Sequence, residues 1–231
     1  MGGSLTTIDQ YPYAAPVLVS FNLVDYTQSC GSSILTSTAI LSAAHCFDDN
    51  APVARWRVRV GSSFGHSGGT VHILRAIFNH PGFTMQTLDN DIAVLRTQNA
   101  ITFIPNTVAA ASIAGSAYNL ADNQPVWAIG WGNIGPSGPP SEQLRHVQLL
   151  TVNQQLCQSR YGSFPITANM LCVAWFEGGR DQCSRDSGSP LLHFNVVVGV
   201  CSFGSGCFNP NQPTVNARVS RYTSWIQAMA A

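Results

Sequence analysis

A chain of 231 residues that is 45% hydrophobic, 10% charged and formally neutral at pH 7 is long enough to bury a full hydrophobic core. The charge balance excludes a nucleic-acid-binding surface, which needs a basic excess, and it argues equally against anionic membranes. No apolar run approaches the roughly 20 residues of a membrane span, and the start Met1-Gly2-Gly3-Ser4 is too polar for a secretory signal; a soluble chain whose targeting segment has been left off is expected.

Two compositional features bear on the surroundings. All 11 basic residues are arginine. That is either a bias of the lineage or a way of keeping charge in an alkaline milieu, where a guanidinium stays protonated and an ammonium does not. Seven cysteines occur without a Cys-x-x-Cys pair or a close Cys/His cluster, which fits a disulfide framework better than a zinc site and leaves one thiol over. Disulfides imply an oxidising compartment and a secreted protein.

In chain order, residues 11–43 alternate short apolar runs (15–21, 33–35 and 39–43) with Gly, Ser, Asn and Asp. Residues 55–60 alternate strictly, with Trp56, Val58 and Val60 on one face and arginines on the other, as in a half-buried strand. Further strands are expected at 71–78, 92–96, 125–130, 145–152, 191–203 and 214–219. Many short strands separated by turn residues read as an all-β sandwich or barrel. The Gly/Pro-rich segment 132–140 is expected to be an exposed loop. The Ala-rich segment 109–122 is a connection near which two barrels would meet, giving divisions of about 11–110 and 111–219 within one domain spanning 1–231. One helix is expected, at 220–230: Ser220 can cap it, and Tyr222, Trp225, Ile226 and Met229 share a face.

The chemistry-bearing stretch is Asp181-Gln182-Cys183-Ser184-Arg185-Asp186-Ser187-Gly188-Ser189-Pro190, a serine held in turn-forming residues beside a stapling cysteine. Upstream, Leu41-Ser-Ala-Ala-His45-Cys46 ends a small-residue run on a histidine. Asp89-Asn90-Asp91 stands at the mouth of an apolar strand. Taken singly, each has a structural reading: a core histidine, a strand-edge cap and a turn serine. Together they supply a nucleophile, a general base and a carboxylate that orients it.

At all three places, and in the same order, the sequence resembles the chymotrypsin-fold serine proteases. The likeness extends over essentially the whole chain and includes the Gly-Trp-Gly of 130–132, the Ser-Phe-Gly of 202–204 and Tyr222-Thr-Ser-Trp-Ile226. Residues 178–183, Gly-Gly-Arg-Asp-Gln-Cys, are most similar to the trypsin-like branch of insect digestive enzymes. The resemblance implies two six-stranded antiparallel barrels with a C-terminal helix. It implies His45 as general base, Asp91 as its orienter, Ser187 as nucleophile, and the N–H groups of Arg185 and Ser187 as oxyanion hole. It also implies disulfides Cys30–Cys46, Cys157–Cys172 and Cys183–Cys207. Cys201 is then the unpaired thiol, expected to be buried and inert.

The same resemblance places Asp181 at the base of the primary pocket, selecting Arg or Lys, with walls from 181–184 (Gln182 among them), Ser202, Phe203 and Gly204, and 213–216. It pairs Asp186 with the chain's α-amino group, although the sequence starts Met1-Gly2-Gly3 where the family has Ile-Val-Gly-Gly. Arg185, Ser189 and Thr214 each stand where the family has glycine. A side chain at 214 would narrow the slot, and one at 185 raises the question of backbone conformation. Residues 61–75 contain no Asp or Glu, so no structural metal or other cofactor is expected. Peptide or protein substrates and protein protease inhibitors are the implied partners of a monomeric, secreted, digestive enzyme, in an extracellular setting such as the gut lumen. The rival reading is an impaired homologue that binds or regulates partners through the same cleft.

Overall fold

The computed structural model describes residues 3–47 and 51–231. After a two-residue strand, β1 (Ser4–Leu5), come β2 (Ala14–Val19), β3 (Thr27–Ile34), β4 (Ala39–Ser42), β5 (Trp56–Val60), β6 (Thr70–Asn79) and β7 (Ala93–Thr97). β2 to β7 form a closed barrel in the order β2-β3-β4-β7-β6-β5, every pairing antiparallel. β5 carries the alternation expected of it: Trp56, Val58 and Val60 are buried, while Arg57 and Arg59 are only half-buried. β2, β4 and β7 are buried along their whole length, because the barrel interior takes one face and neighbouring structure covers the other.

The second half supplies β8 (Ser112–Ile113), β9 (Pro125–Gly130), β10 (Arg145–Thr151), β11 (Met170–Ala174), β12 (Pro190–His193), β13 (Val196–Phe203) and β14 (Thr214–Arg218). Six of these close in turn, β9-β10-β11-β14-β13-β12, with Leu191 and Leu192 returning the sheet to Ala128 and Trp127 of β9. β1 extends this sheet at β10, and β8 pairs in parallel with β13. The molecule is all-β, two six-stranded antiparallel barrels of the chymotrypsin type, with two short α-helices among the described residues.

Four expectations need correction. The run 191–203 is not one strand but a hairpin, turning at Phe194 (φ 46°) and Asn195 (φ 63°). Two successive positive φ values match the twist of a tight hairpin, and Phe-Asn is weak sequence warning of it. Helix α1 (Gln154–Tyr161) was not expected: it buries only Cys157 and so has no apolar stripe, and Asn153 caps it by accepting from the N–H groups of Gln155 and Leu156. β11 was also unexpected; all five of its residues are buried, so no alternation betrays it.

The last helix, α2, spans Thr223–Ala230, and Ser220 lies in a preceding 3-10 turn and does not cap it. Its apolar face is as expected. Tyr222 and Ile226 are in the core, with Trp225 and Met229 packed against it. The helix lies on β4 and β7 of the first barrel, where Arg96 Nη1 donates to the carbonyls of Met229 and Ala231. The C-terminus thus ties the second barrel back to the first.

Three disulfides join Cys30 to Cys46, Cys157 to Cys172 and Cys183 to Cys207, and Cys201 is free and buried. The first two close loops of separation 16 and 15, each worth roughly 3 kcal/mol by loop-closure entropy. Burial, together with the nearby Asp186, Asp181 and Asp91 charges, pushes the Cys201 thiol well above its ordinary value, so it stays a protonated core side chain.

Candidate active site

His45 sits in a 3-10 turn, Ala44–Phe47, directly after β4. Asp91 ends the loop that leads into β7. Its carboxylate, 1% exposed, takes the His45 N–H on Oδ1 at 2.8 Å and lies 2.6 Å from His45 Nδ1 on Oδ2. The Ser202 hydroxyl, on β13 of the other barrel, also donates to Oδ2. Three donors at one carboxylate fix the imidazole by Nδ1 and leave Nε2 directed elsewhere. Two residues back, Asp89 accepts from Thr167 Oγ1 at 2.8 Å and Asn169 Nδ2 at 3.2 Å, which pins the Asp91 loop to the segment before β11.

Ser187 lies in the loop before β12. Its carbonyl accepts from Gly31 N–H of β3 at 2.7 Å and lies 3.9 Å from the Cys46 sulfur. That contact brings Ser187 against the residue next to His45. Close approach needs glycine: a Cβ on Gly188 (φ 83°) would fall 2.4 Å from the Gly31 carbonyl oxygen. Among the described residues no hydrogen bond joins Ser187 to His45; such contacts commonly tighten only when substrate is bound.

The preceding residues form a frame for two free N–H groups. Asp186, wholly buried, accepts from the N–H groups of Gly132 at 2.8 Å and Cys183 at 2.9 Å. Burial pushes its carboxyl up from the ordinary value while those two donors pull it down. A Cβ on Gly132 would fall 2.4 Å from the Asp186 carboxyl carbon, so glycine there makes room for the carboxylate. The expected partner at the chain start, the amino group of Met1, lies outside the described residues. Arg185 adopts φ 73°, the conformation that glycine would take without strain. Among the described residues the N–H groups of Arg185 and Ser187 donate to no protein acceptor, and this leaves both available to a ligand.

A cavity of about 200 Å³ opens beside Ser187, lined by Gln182, Cys183, Ser184, Ser202, Phe203, Gly204 and Thr214 together with Cys201, Gly206 and Cys207. The Cys183–Cys207 disulfide joins two of its walls. Phe203 is backed by a small cluster with Tyr161 and Phe164. Asp181 is buried behind this lining and reaches it through Thr214, whose hydroxyl donates to Asp181 Oδ1. Burial raises the Asp181 carboxyl from its ordinary value, against the donors Thr214, Phe208 and Gln182.

Of the expected pocket residues, Gln182, Cys183, Ser184, Ser202, Phe203, Gly204 and Thr214 line the cavity, whereas Asp181 lies behind it, bonded to Thr214, and 213, 215 and 216 do not line it. Sequence reasoning missed two partners. Ser202 was assigned only to the pocket wall, and nothing in the sequence links it to Asp91. Gln28 exchanges hydrogen bonds with Arg185 across a separation of 157 residues, and no local signal marks it.

Two antiparallel barrels meeting at a part-exposed histidine held by a buried aspartate, beside a serine on a glycine-framed loop, define the class of chymotrypsin-like serine endopeptidases. The trypsin family model matches residues 2–226, and the chain belongs to that family. It is 56% identical to Trypsin CFT-1 of Choristoneura fumiferana, covering 100% of this chain and 90% of that protein. It is 55% identical to "Trypsin, alkaline C" of Manduca sexta, covering 98% and 89%, and 47% identical to Achelase-1 of Lonomia achelous over the whole of both. The protein is a trypsin-like serine endopeptidase, and nothing in these likenesses favours an impaired homologue.

Proposed function

We propose that the protein hydrolyses peptide bonds through His45, Asp91 and Ser187, following basic residues of its substrates. The observation that carries this reading is the His45 Nδ1 to Asp91 Oδ2 contact of 2.6 Å, with Ser187 in the adjoining loop. Asp91 holds the tautomer in which Nδ1 carries the proton, so Nε2 has a lone pair for the Ser187 hydroxyl. As Ser187 Oγ attacks the acyl carbon, its proton passes to Nε2. The carbonyl oxygen gains charge and is met by the N–H groups of Ser187 and Arg185. Collapse releases the amine, which takes the proton from Nε2. Water, activated by the same nitrogen, then frees the acyl group from Ser187.

The positive φ of Arg185, 73°, is the value glycine would take without strain, and this supports its N–H as an oxyanion donor. The reading makes peptides and proteins the substrates and protein protease inhibitors, which mimic them, competitors for the cleft. It also assigns the enzyme to secretion, with three disulfides suited to an oxidising exterior, and to digestion in a gut lumen as a monomer. Among the described residues, no helix is long and apolar enough to cross a membrane.

The test is hydrolysis of basic-residue amide substrates by the chain and its Ser187→Ala variant. Loss of about 10⁵-fold or more in kcat with the fold intact is expected. Full activity in the variant would contradict the reading.

A further inference from the structure

The floor of the primary pocket is not a bare carboxylate. Asp181 Oδ1 already accepts from the Thr214 hydroxyl and from Gln182 N–H at 2.9 Å, and Oδ2 accepts from Phe208 N–H at 2.9 Å. Thr214 lines the cavity in front of it. Gly204, one residue past the Phe203 that pairs with Val215, stands beside Thr214 in the same wall: a Cβ there would fall 3.3 Å from Thr214 Oγ1. Gln182, also in the lining, has its side-chain oxygen engaged by Asn216 at 3.0 Å.

A hydroxyl has one proton, and Thr214 gives its own to Asp181. Toward the cavity it can therefore only accept. It carries the negative field of the carboxylate forward as one lone-pair site on a β-branched stem. The two cations that would seek that field differ in what they need. A guanidinium is a rigid planar fork that seats on two acceptor oxygens side by side. Thr214 Oγ1 and two backbone N–H groups occupy the Asp181 edge where it would seat. An ammonium is a compact point charge with three rotatable donors, satisfied by a single acceptor in a negative field.

We propose that Thr214 is a specificity-determining residue that turns the pocket toward lysine, in preference to arginine, at the substrate residue preceding the scissile bond. This deepens the proposed function and rests on its assignment of Ser187. The consequence is a division of labour. Asp181 supplies the charge, and Thr214 supplies the atom that the substrate touches.

The test compares amide substrates that differ only in Lys, Arg, Leu or Ala before the cleaved bond, hydrolysed by the chain, by Thr214→Gly and by Thr214→Ser. An organophosphate-type probe counts working sites in each preparation. The chain is expected to favour Lys over Arg in kcat/KM by about tenfold or more, the scale of one charge-assisted bond. Thr214→Gly is expected to bring that ratio down by at least as much, mostly through KM for Arg, while Thr214→Ser keeps the Lys preference. Arg equal to or better than Lys in the chain, or a ratio unmoved in Thr214→Gly, or a preference for Leu or Ala, would each overturn the proposal while labelled sites leave the Ser187 reading standing. Absence of labelling in the folded chain would instead remove the Ser187 reading, and this proposal with it.

Discussion

Arg185 and Gln28 hold each other in both directions. Arg185 Nη1 donates to the Gln28 carbonyl at 2.8 Å, and Gln28 Nε2 donates back to the Arg185 carbonyl at 2.9 Å. The bridge ties the loop before Ser187 to β3 and offsets the cost of a left-handed arginine, about 1–2 kcal/mol. Gln28→Ala removes the half that grips the backbone, and kcat is expected to fall by about tenfold with KM changed less than about twofold, since a looser N–H mainly weakens transition-state binding. Adding Arg185→Gly should restore most of the loss, because glycine holds the positive φ without help. Steady-state kinetics of the single and double variants check this.

Gly132 is the seat of Asp186. A methyl group at this position would press on the carboxyl carbon at 2.4 Å, and Asp186 is wholly buried with no room to retreat. Gly132→Ala is expected to lower stability by about 1–3 kcal/mol, as overpacking does, and to lower kcat by displacing the neighbouring N–H of Ser187. Denaturant unfolding and kinetics on one preparation measure both.

Asp91 binds His45 twice and Ser202 once. Asp91→Asn would leave the geometry similar but favour the wrong tautomer, and kcat at neutral pH is expected to drop by about 10⁴-fold. Ser202→Ala removes one donor of three, and a fall of about tenfold or less is expected. A Ser202→Ala loss as large as that of Asp91→Asn would show that Ser202 does more than steady the carboxylate.

Burial raises the Asp181 carboxyl from its ordinary value. Only its ionised form attracts a cation. Because its folded pKa is raised, binding of a small alkylammonium is expected to weaken as pH falls, beginning at a higher pH than an ordinary aspartate would give. Thr214→Val deletes a donor to the carboxylate and should move that loss to still higher pH. Calorimetric titration across pH reads the midpoint directly, and an unmoved midpoint in the variant would contradict the role given to the hydroxyl.

Much of this was legible in the sequence where the determinant is local. The alternation of β5 and the apolar face of α2 follow from spacing. The residues of the proposed triad were visible because each sits in a short distinctive run. The hairpin at Phe194 and Asn195 was hidden inside one continuous apolar stretch. Helix α1 was hidden because its only buried residue is a disulfide cysteine, so no periodicity survives. The Ser202–Asp91 and Gln28–Arg185 contacts join residues separated by 111 and 157 positions, and only closing the barrels brings them together. The positive φ at Arg185 belongs to the same group, since the chain there reads as an ordinary turn.

The most direct test is mass spectrometry of the folded chain after exposure to an organophosphate-type acylating probe, with His45→Ala alongside. If Ser187 is a nucleophile activated by His45, the adduct forms rapidly and stoichiometrically on the peptide containing Ser187, and His45→Ala labels slower by about 10³-fold or more. Equal labelling of both forms, or labelling spread over other serines, would contradict that chemistry.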